Sequence, residues 1–440
     1  MENTFAMISL GCAKNLVNSE QMLYLMDEAG FKLVPDPEGA DLAIVNTCGF
    51  IDAAKTEAID TILQLAELKR AGSLGGLIVT GCLAERYKDS ILQELPEIDA
   101  VLGVGSFGAI VQASESVLEG KGLRLFAGNS QPVEEIPRVV STGPAWAYLR
   151  IAEGCDNFCA FCAIPHIRGR YRSRSLENIL AEARELAQHG VKELIVIAQD
   201  ITRYGTDLYG KRCLAQLCRE LKQIEGVEWI RLHYLYPDQF DDELIDEIAT
   251  NEKIVKYLDI PIQHINNTIL KRMNRRGTGD EIRALFSELR RRIPGLVLRT
   301  SLIAGLPGEG EAEFEELCAF LREAKIERAG VFPFSPEEGT PAAKMPHVDA
   351  EEAQRRAELI MELQEPIMDA FCQSLVGQTL RVLCEGWDEE NNCLTGRCYA
   401  DSPDIDGQVL FTGACSDGDM TDVLITSSEN GLLYGREVDA

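Results

Sequence analysis

The sequence predicts an α/β protein in three parts: an N-terminal parallel-sheet α/β domain over residues 1–130, a central partial barrel of six βα units over 141–372, and a small all-β barrel over 373–440. Three observations lead there. Strand-like apolar runs alternate with helical patterns through most of the chain, and such alternation implies parallel sheets. A stretch from Ala127 to Ala145, with Pro132, Pro137 and Pro144 among Gly and Ser, interrupts it without helical period and reads as a linker. Beyond Gly377 the pattern breaks into short apolar pieces split by Gly, Asp and Asn, as in a small β-barrel.

In chain order, Phe5–Leu10, Leu42–Val45 and Leu77–Thr80 read as strands, and helical patterns follow at Asn18–Ala29, Ala53–Arg70 and Ala84–Glu94. After the linker come six candidate strands: Tyr148–Ala152, Glu193–Ala198, Trp229–Leu235, Tyr257–Ile262, Val297–Ala304 and Gly330–Phe334. Ser175 is a plausible N-cap and Gly190 a stop for a helix over Leu176–His189. Six βα units are too few for a closed eight-stranded barrel, so an open one is expected. Asp349–Leu375 is a long helical pattern that Pro366 should kink or end. The last strands are expected at Leu380–Cys384, Val409–Thr412 and Val423–Ser427.

Two sets of three cysteines stand out among 14. Cys12, Cys48 and Cys82 each end a predicted strand, 36 and 34 residues apart, so parallel strands would bring them to one sheet edge. Cys155, Cys159 and Cys162 lie in one short loop at the end of the first barrel strand. A structural zinc site would want a fourth Cys or His at C-x-x-C-type spacing, and none lies there. Three thiolates on a cubane iron–sulfur cluster leave one iron without a protein ligand, where a small molecule can bind. The plain alternative is a set of core-like buried thiols. Cys213, Cys218, Cys318, Cys372, Cys384, Cys393, Cys398 and Cys415 lack a ligand spacing and read as ordinary thiols.

Phe5–Leu10 is too short for a secretory h-region, no basic n-region precedes it, and no apolar run would span a bilayer. Together with the cysteine usage this gives the expectation of a reducing cytoplasm and no membrane partner. The chain carries 43 Lys and Arg against 71 Asp and Glu, a net of −28. Its C-terminal 68 residues hold Arg381, Arg397 and Arg436 against 13 acids. Such a surface repels nucleic acid and attracts a basic protein, or else serves solubility. Glu385, Asp388, Glu389 and Glu390, between two predicted strands, are its expected centre. Arg168, Arg170, Arg172 and Arg174 alternate, so on an extended segment they share a side. They read either as a solvated basic face or as contacts to a carboxylate.

Cys155-x-x-x-Cys159-x-x-Cys162 after a first barrel strand resembles the signature of the radical S-adenosylmethionine (SAM) enzymes. With Gly11-Cys12, Asn46-Thr47-Cys48 and Gly81-Cys82 ahead of it, nearly the whole chain resembles the methylthiotransferases. Ser9–Glu20, Asn46–Asp52 and Ala198–Gly205 are similar to the branch that methylthiolates the β-carbon of an aspartate in the twelfth small-subunit ribosomal protein. Ala13 stands where that branch usually has Pro, and Asn18 where it has Asp; neither change removes a ligand.

The resemblance implies a radical SAM barrel and a C-terminal TRAM domain, with two 4Fe-4S clusters. Cys155, Cys159 and Cys162 would hold the one that chelates SAM, and Cys12, Cys48 and Cys82 an auxiliary one carrying the sulfur to be inserted. One SAM would serve as methyl donor and one as radical source. Phe158 and Phe161 would shield the first cluster or pack on SAM, unless they are core. Gly305, Pro307 and Gly308 of Gly305-Leu-Pro-Gly-Glu309 resemble the element near SAM's adenine. Gln199-Asp200, Gln263-His264 and Arg299-Thr300, at strand ends, are candidates for SAM or aspartate contacts, with His264 equally a structural histidine. The implied partners are a basic small-subunit ribosomal protein, or the assembled ribosome, and an electron-donor protein or reductant. The competing reading is methylthiolation of a tRNA adenosine, which the acidity of the terminal barrel opposes; no direct tRNA binding is expected. A nucleic-acid-binding module with purely structural metal sites would leave the open irons without a purpose.

Overall fold

In the computed structural model the described residues are 3–143 and 145–438; Pro144 of the linker and residues 439–440 of the terminal barrel lie outside them. The chain divides into two compact units, Met1–Ser141 with Ala152–Arg174 and Ser335–Ala343, and Thr142–Ile151 with Ser175–Phe334 and Lys344–Ala440.

The first unit is built on Thr4–Ser9 (β1), Lys32–Leu33 (β2), Leu42–Thr47 (β3), Gly76–Gly81 (β4), Ala100–Leu102 (β5) and Leu123–Leu125 (β6). All pair in parallel, in the order β2-β1-β3-β4-β5-β6. Every residue of β3 and β4 is buried, as the continuous apolar runs of a sheet covered on both faces require. Alternation splits them: Ala43, Val45, Leu77 and Val79 pack on Ala58, Ile62 and Leu65, while Ile44 and Ile78 pack on Met22 and Met26. The strand order reverses between β1 and β3, which opens a crevice at their C-terminal ends.

The first helix spans Ala13–Glu28 and so begins five residues before its expected start. The backbone N–H groups of Asn15 and Leu16 bond to the Cys12 carbonyl, and Lys14, Asn15, Asn18 and Ser19 are buried although polar. A hydrophobic pattern cannot register that turn. The helix expected over Ala84–Glu94 breaks at Lys88, whose φ is +46°, into Cys82–Tyr87 and Asp89–Glu94.

Among the described residues of the linker there is no helix or strand after β6, but the segment is pinned. Buried Glu20 accepts bonds from the Ser141 N–H (2.7 Å) and hydroxyl (3.0 Å) and pairs with Arg138, and the Gln21 amide donates to the Ile136 carbonyl at 3.0 Å. The chain then gives Trp146–Arg150 (β7) to the second unit and returns to the first with Ala152–Glu153 (β8) and Arg172–Ser173 (β9), an antiparallel ribbon.

The second unit continues with Glu193–Ile197 (β10), Trp229–Leu232 (β11), Ile254–Asp259 (β12), Val297–Ala304 (β13) and Arg328–Pro333 (β14). With β7 they form one parallel sheet in strictly sequential order, β7-β10-β11-β12-β13-β14, the open six-stranded arrangement expected. Helix Ala350–Leu375 continues past Pro366 rather than ending there. Pro366 and Glu362, the residue whose carbonyl it leaves unbonded, are both exposed, so water can satisfy that group. Buried Ile360, Gln364, Cys372 and Leu375 hold the helix down on either side.

Thr379–Asp388 (β15), Cys393–Cys398 (β16), Val409–Thr412 (β17), Met420–Glu429 (β18) and Leu432–Glu437 (β19) close into a barrel, β15-β16-β17-β19-β18. Its connection between β16 and β17 plugs the interior of the open sheet. Arg231 of β11 donates to the Tyr399 carbonyl (2.8 Å), Tyr257 of β12 to Asp406 (2.6 Å), and Arg328 of β14 pairs with Asp401 (2.6 Å). Fully buried Glu193 of β10 lies between Arg231 and Arg397, each at 2.7 Å.

Burial works against a charged Glu193, but Arg397 and Arg231 outweigh it and hold its pKa near about 2 instead of 4.5. A depressed carboxylate pKa stabilises the fold fully above the unfolded value and loses that contribution as pH falls through the folded one. Glu193→Gln leaves two buried guanidiniums facing each other and should cost about 3–5 kcal/mol at neutral pH. Urea denaturation between pH 7 and pH 2.5 should show the parent losing stability below about pH 4.5 more steeply than the variant. Equal pH slopes would mean that Glu193 is not the group responsible.

Candidate functional site

Cys12, Cys48 and Cys82 follow β1, β3 and β4 at the reversal of strand order, and the turns that carry them are packed backbone to backbone. Gly11 has φ +92°, and a Cβ there would lie 2.7 Å from the Cys48 Cβ. A Cβ on Gly49 would lie 2.7 Å from the Leu83 backbone and 2.9 Å from that of Cys82. Only residues without a side chain let the three turns close to this distance. Asn15, three residues after Cys12, ties them further: its amide donates to the Leu10 and Thr47 carbonyls, both at 2.9 Å, and its own carbonyl accepts from Asn46 at 2.8 Å. Cys12 is exposed, Cys48 half-buried and Cys82 buried, so the group opens outward at Cys12.

The thiols feel one another. Burial raises the Cys48 pKa, and the charge of Cys12 adds to it. Burial pushes Cys82 to about 11, against the pull of Arg168 and with the repulsion of Cys12 and Cys48. At Cys12 desolvation is outweighed by Lys14, Arg168 and the backbone N–H groups of Asn15 and Lys14, and its pKa falls below 9.0.

Cys155, Cys159 and Cys162 lie in a loop pinched at its base by the ribbon of β8 and β9, with the Cys155 N–H bonded to the Gly169 carbonyl at 3.1 Å. Gly154, at φ +81°, is required there, because a Cβ would meet the Arg170 carbonyl at 2.0 Å. Cys155 and Cys159 are buried and Cys162 is half-buried. Phe158 is 40% exposed at φ +49° beneath the Arg170 guanidinium, 4.8 Å from its ring centre, so it is not core. Phe161 is half-buried. Both cysteine sets belong to the first unit, and Cys82 packs against Ala163 and Ile167, just past Cys162.

The arginine series does not form a solvated basic face. Arg168 closes a helix, Ile164–Arg168, and is 1% exposed. Arg174 is buried against Glu135 at 2.5 Å, and Arg170 meets Asp156 at 3.3 Å. Arg168 ends a helix and Arg172 begins the short strand β9, so the four do not share one extended segment.

In the second unit, Gln199 follows β10 at its C-terminal end, and buried Asp200 caps the next turn, accepting from the Thr202 N–H at 3.0 Å. Gly305, Pro307 and Gly308 form the turn after β13. That turn is braced by Glu309, whose carboxylate accepts from the Gly305 N–H (2.9 Å) and pairs with Arg356 (3.0 Å), and by Arg272 donating to the Pro307 carbonyl (3.2 Å). Buried His264 accepts from the Asn266 N–H (3.0 Å) and lies 3.3 Å from Glu309, the structural alternative expected of it. Gln263 adopts φ +70° between β12 and its neighbour. Arg299 and Thr300 lie inside β13 rather than at its end; Arg299 pairs with Asp259 at 2.7 Å and Thr300 donates to the Ile260 carbonyl at 2.8 Å. Asn15, Glu153 and Glu309 are the residues sequence reasoning passed over. For Asn15 the signal was a polar residue one helical turn past a strand-end cysteine.

Among the described residues no three His, Cys, Asp or Glu side chains close around a single metal ion. A cluster of four irons needs its thiolates spread wider, and two all-sulfur donor sets in cradles of glycine and backbone N–H groups suit one. No helix among them is long and apolar enough to cross a membrane.

Residues 4–103 match the uncharacterized protein family UPF0004, 149–321 the radical SAM superfamily and 376–438 the TRAM domain. The ribosomal protein uS12 methylthiotransferase RimO of Acetivibrio thermocellus is 47% identical to the chain over 450 residues, covering 100% of this chain and 99% of the relative. That of Lachnoclostridium phytofermentans is 48% identical over 432 residues, covering 97% and 98%. The chain belongs to the RimO family. It is thus an enzyme of the methylthiotransferase type with a radical SAM domain, and the RimO fold ends in the closed TRAM barrel described above. Among solved structures, the radical SAM methyltransferase TsrM of Kitasatospora setae aligns with a TM-score of 0.57 at 14% identity, over 78% of this chain and 77% of that one. The cobalamin-dependent radical enzyme OxsB aligns at 0.52 and 14%, over 82% and 56%. At these identities the likeness is one of fold.

Proposed function

We propose that the protein methylthiolates the β-carbon of an aspartate in ribosomal protein uS12, using SAM both as methyl donor and as radical source. The observation that carries this reading is the pair of three-cysteine sites in one compact unit, each short of one protein ligand, in a chain of the RimO family. Cys155, Cys159 and Cys162 would hold one 4Fe-4S cluster and Cys12, Cys48 and Cys82 the other. Bound there, the clusters and SAM supply one-electron cleavage of a sulfonium and a sulfur to transfer. The chain's own part is to place and shield. Glu309, Arg356 and Arg272 fix the turn of Gly305, Pro307 and Gly308, which offers a rigid backbone edge to SAM, with Gln199 as a further contact. Phe158, under the Arg170 guanidinium, would be an apolar cover on the first loop. The test is intact-mass analysis of ribosomal proteins from cells with and without the gene. Loss of one methylthio group from uS12 alone is the expected result, and an unchanged uS12 with altered tRNA would replace this reading.

A basic ribosomal protein, free or in the assembled subunit, is the partner, alongside an electron donor. The docking surface is smaller than formal charge suggests. Glu385 is tied to Arg397 at 2.8 Å, while Asp401 and Asp406 are buried against Arg328 and Tyr257. Of the four acids at its expected centre, Glu389 and Glu390 are exposed and Asp388 half-buried at the β15–β16 turn, next to Trp387, which is 56% exposed; Asp404, Asp417, Asp419, Asp422 and Glu429 are exposed elsewhere on the barrel. Changing Asp388, Glu389 and Glu390 to their amides should weaken uS12 binding and flatten its salt dependence, while SAM cleavage without substrate is unaffected. Fluorescence titrations at low and high salt read both; an unchanged salt slope returns the acidity to a role in solubility.

A further inference from the structure

Arg168 occupies an unusual position. It lies six residues past Cys162, on the segment of the radical SAM signature, yet its guanidinium is buried among the other three cysteines. One arm donates to the Asn15 side-chain oxygen at 2.6 Å and another to Glu153 at 2.8 Å. The Cys82 Sγ reaches the same Asn15 oxygen, 3.7 Å away, and the guanidinium's charge acts on Cys82, Cys12 and Cys48. Asn15 is the residue that ties the Cys12 and Cys48 turns together, so the guanidinium is oriented from both sides. Glu153, in β8, is in turn fixed by the ribbon at the base of the Cys155–Cys162 loop. A planar fork held by two acceptors fixes where its positive charge sits.

We propose that Arg168 is a positioning residue for the group held by Cys12, Cys48 and Cys82: a permanent positive charge, supplied by the segment of the other cysteine set, that offsets the thiolates and sets the electron affinity of their cluster. The inference rests on the two-cluster reading above. Its chemistry is that of charge near a redox centre. Three thiolates and a reduced cluster concentrate negative charge in a partly buried site, and hydrogen bonds and charges near the sulfurs set the potential of such clusters. Adding an electron is easier beside a guanidinium. This buried cation would therefore matter more for reduction than for folding.

The experiment uses the full chain with Cys155, Cys159 and Cys162 changed to Ala, reconstituted anaerobically with iron and sulfide, so that any remaining cluster is the one in question. Iron content and the midpoint potential, followed by electron paramagnetic resonance during a redox titration, are the readouts. Arg168→Gln should disfavour reduction by at least tenfold, a drop of about 59 mV for one electron, or lose the iron outright. Arg168→Lys should recover the iron and most of the potential. Glu153→Gln, which removes the opposing charge, should shift the potential upward, and this arm decides the matter if Arg168→Gln does not fold. Iron and potential unchanged in Arg168→Gln, or an unmoved potential in Glu153→Gln, would overturn the role of Arg168 and leave the two-cluster reading intact. A parent protein that binds no iron would overturn the two-cluster reading, and this inference with it.

Discussion

Alanine at Cys155, Cys159 and Cys162 together is expected to abolish reductive cleavage of SAM while roughly half of the iron stays with the protein, since each set of thiolates has its own ligands. The loop should survive the change. Its base is closed by the β8–β9 ribbon and by the Cys155 N–H bond to Gly169, which need no thiol. Its far end is anchored by Arg168 on Glu153 and Asn15. Cys→Ala in the buried positions removes one sulfur each and leaves small cavities rather than unpaired charges. Iron and sulfide assays on the reconstituted variant, with chromatography for 5′-deoxyadenosine, measure both halves of the result. Complete loss of iron would point to one shared metal site, a possibility made concrete by the packing of Cys82 on Ala163 and Ile167.

What the sequence disclosed and what it hid follow physical lines. The inner barrel strands were legible because parallel strands buried on both faces are continuous apolar runs, as in Leu194–Ile197 of β10 and, but for Arg231, Trp229–Leu232 of β11. The convergence of Cys12, Cys48 and Cys82 was legible because parallel strands end at one edge, whatever the register. Short strands were not: Lys32–Leu33, exposed, and Leu123–Leu125, half-buried at its two leucines, are edge strands of two and three residues, too brief for any period. Nor was the start of the first helix, where buried Lys14, Asn15 and Asn18 serve the cysteine turns and so defeat the apolar pattern. Arg168 was seen in sequence but misplaced, because its partners Glu153 and Asn15 lie 15 and 153 residues away and only the fold joins them. The acids of the terminal barrel were counted correctly, yet Asp401 and Asp406 turned out to face β14 and β12 instead of water. Charge counts carry no direction; that information exists only once the β16–β17 connection enters the open sheet.

Alanine at Cys12, Cys48 and Cys82 should give the complementary result: dithionite-reduced protein still converts SAM to 5′-deoxyadenosine, and no methylthiolated uS12 is formed. The Cys155–Cys162 loop keeps its ribbon, its Gly154 close approach and the support of Ala342, whose N–H bonds to the Ala160 carbonyl at 2.9 Å. Losing Cys82 costs its packing on Ala163 and Ile167 only one sulfur atom. The charge balance around Arg168 changes more. Without Cys12, Cys48 and Cys82 the guanidinium keeps a single full countercharge, Glu153, which is the arrangement a buried arginine needs to remain in place. Sulfur insertion has no such reserve, because the cluster that would carry the sulfur loses all three of its thiolates. Mass spectrometry of uS12 and assay of 5′-deoxyadenosine on the same reaction separate the two activities. If SAM cleavage stopped as well while the remaining iron stayed bound through Cys155, Cys159 and Cys162, the N-terminal cysteines would belong to radical generation, and the division of labour between the two sets would be wrong.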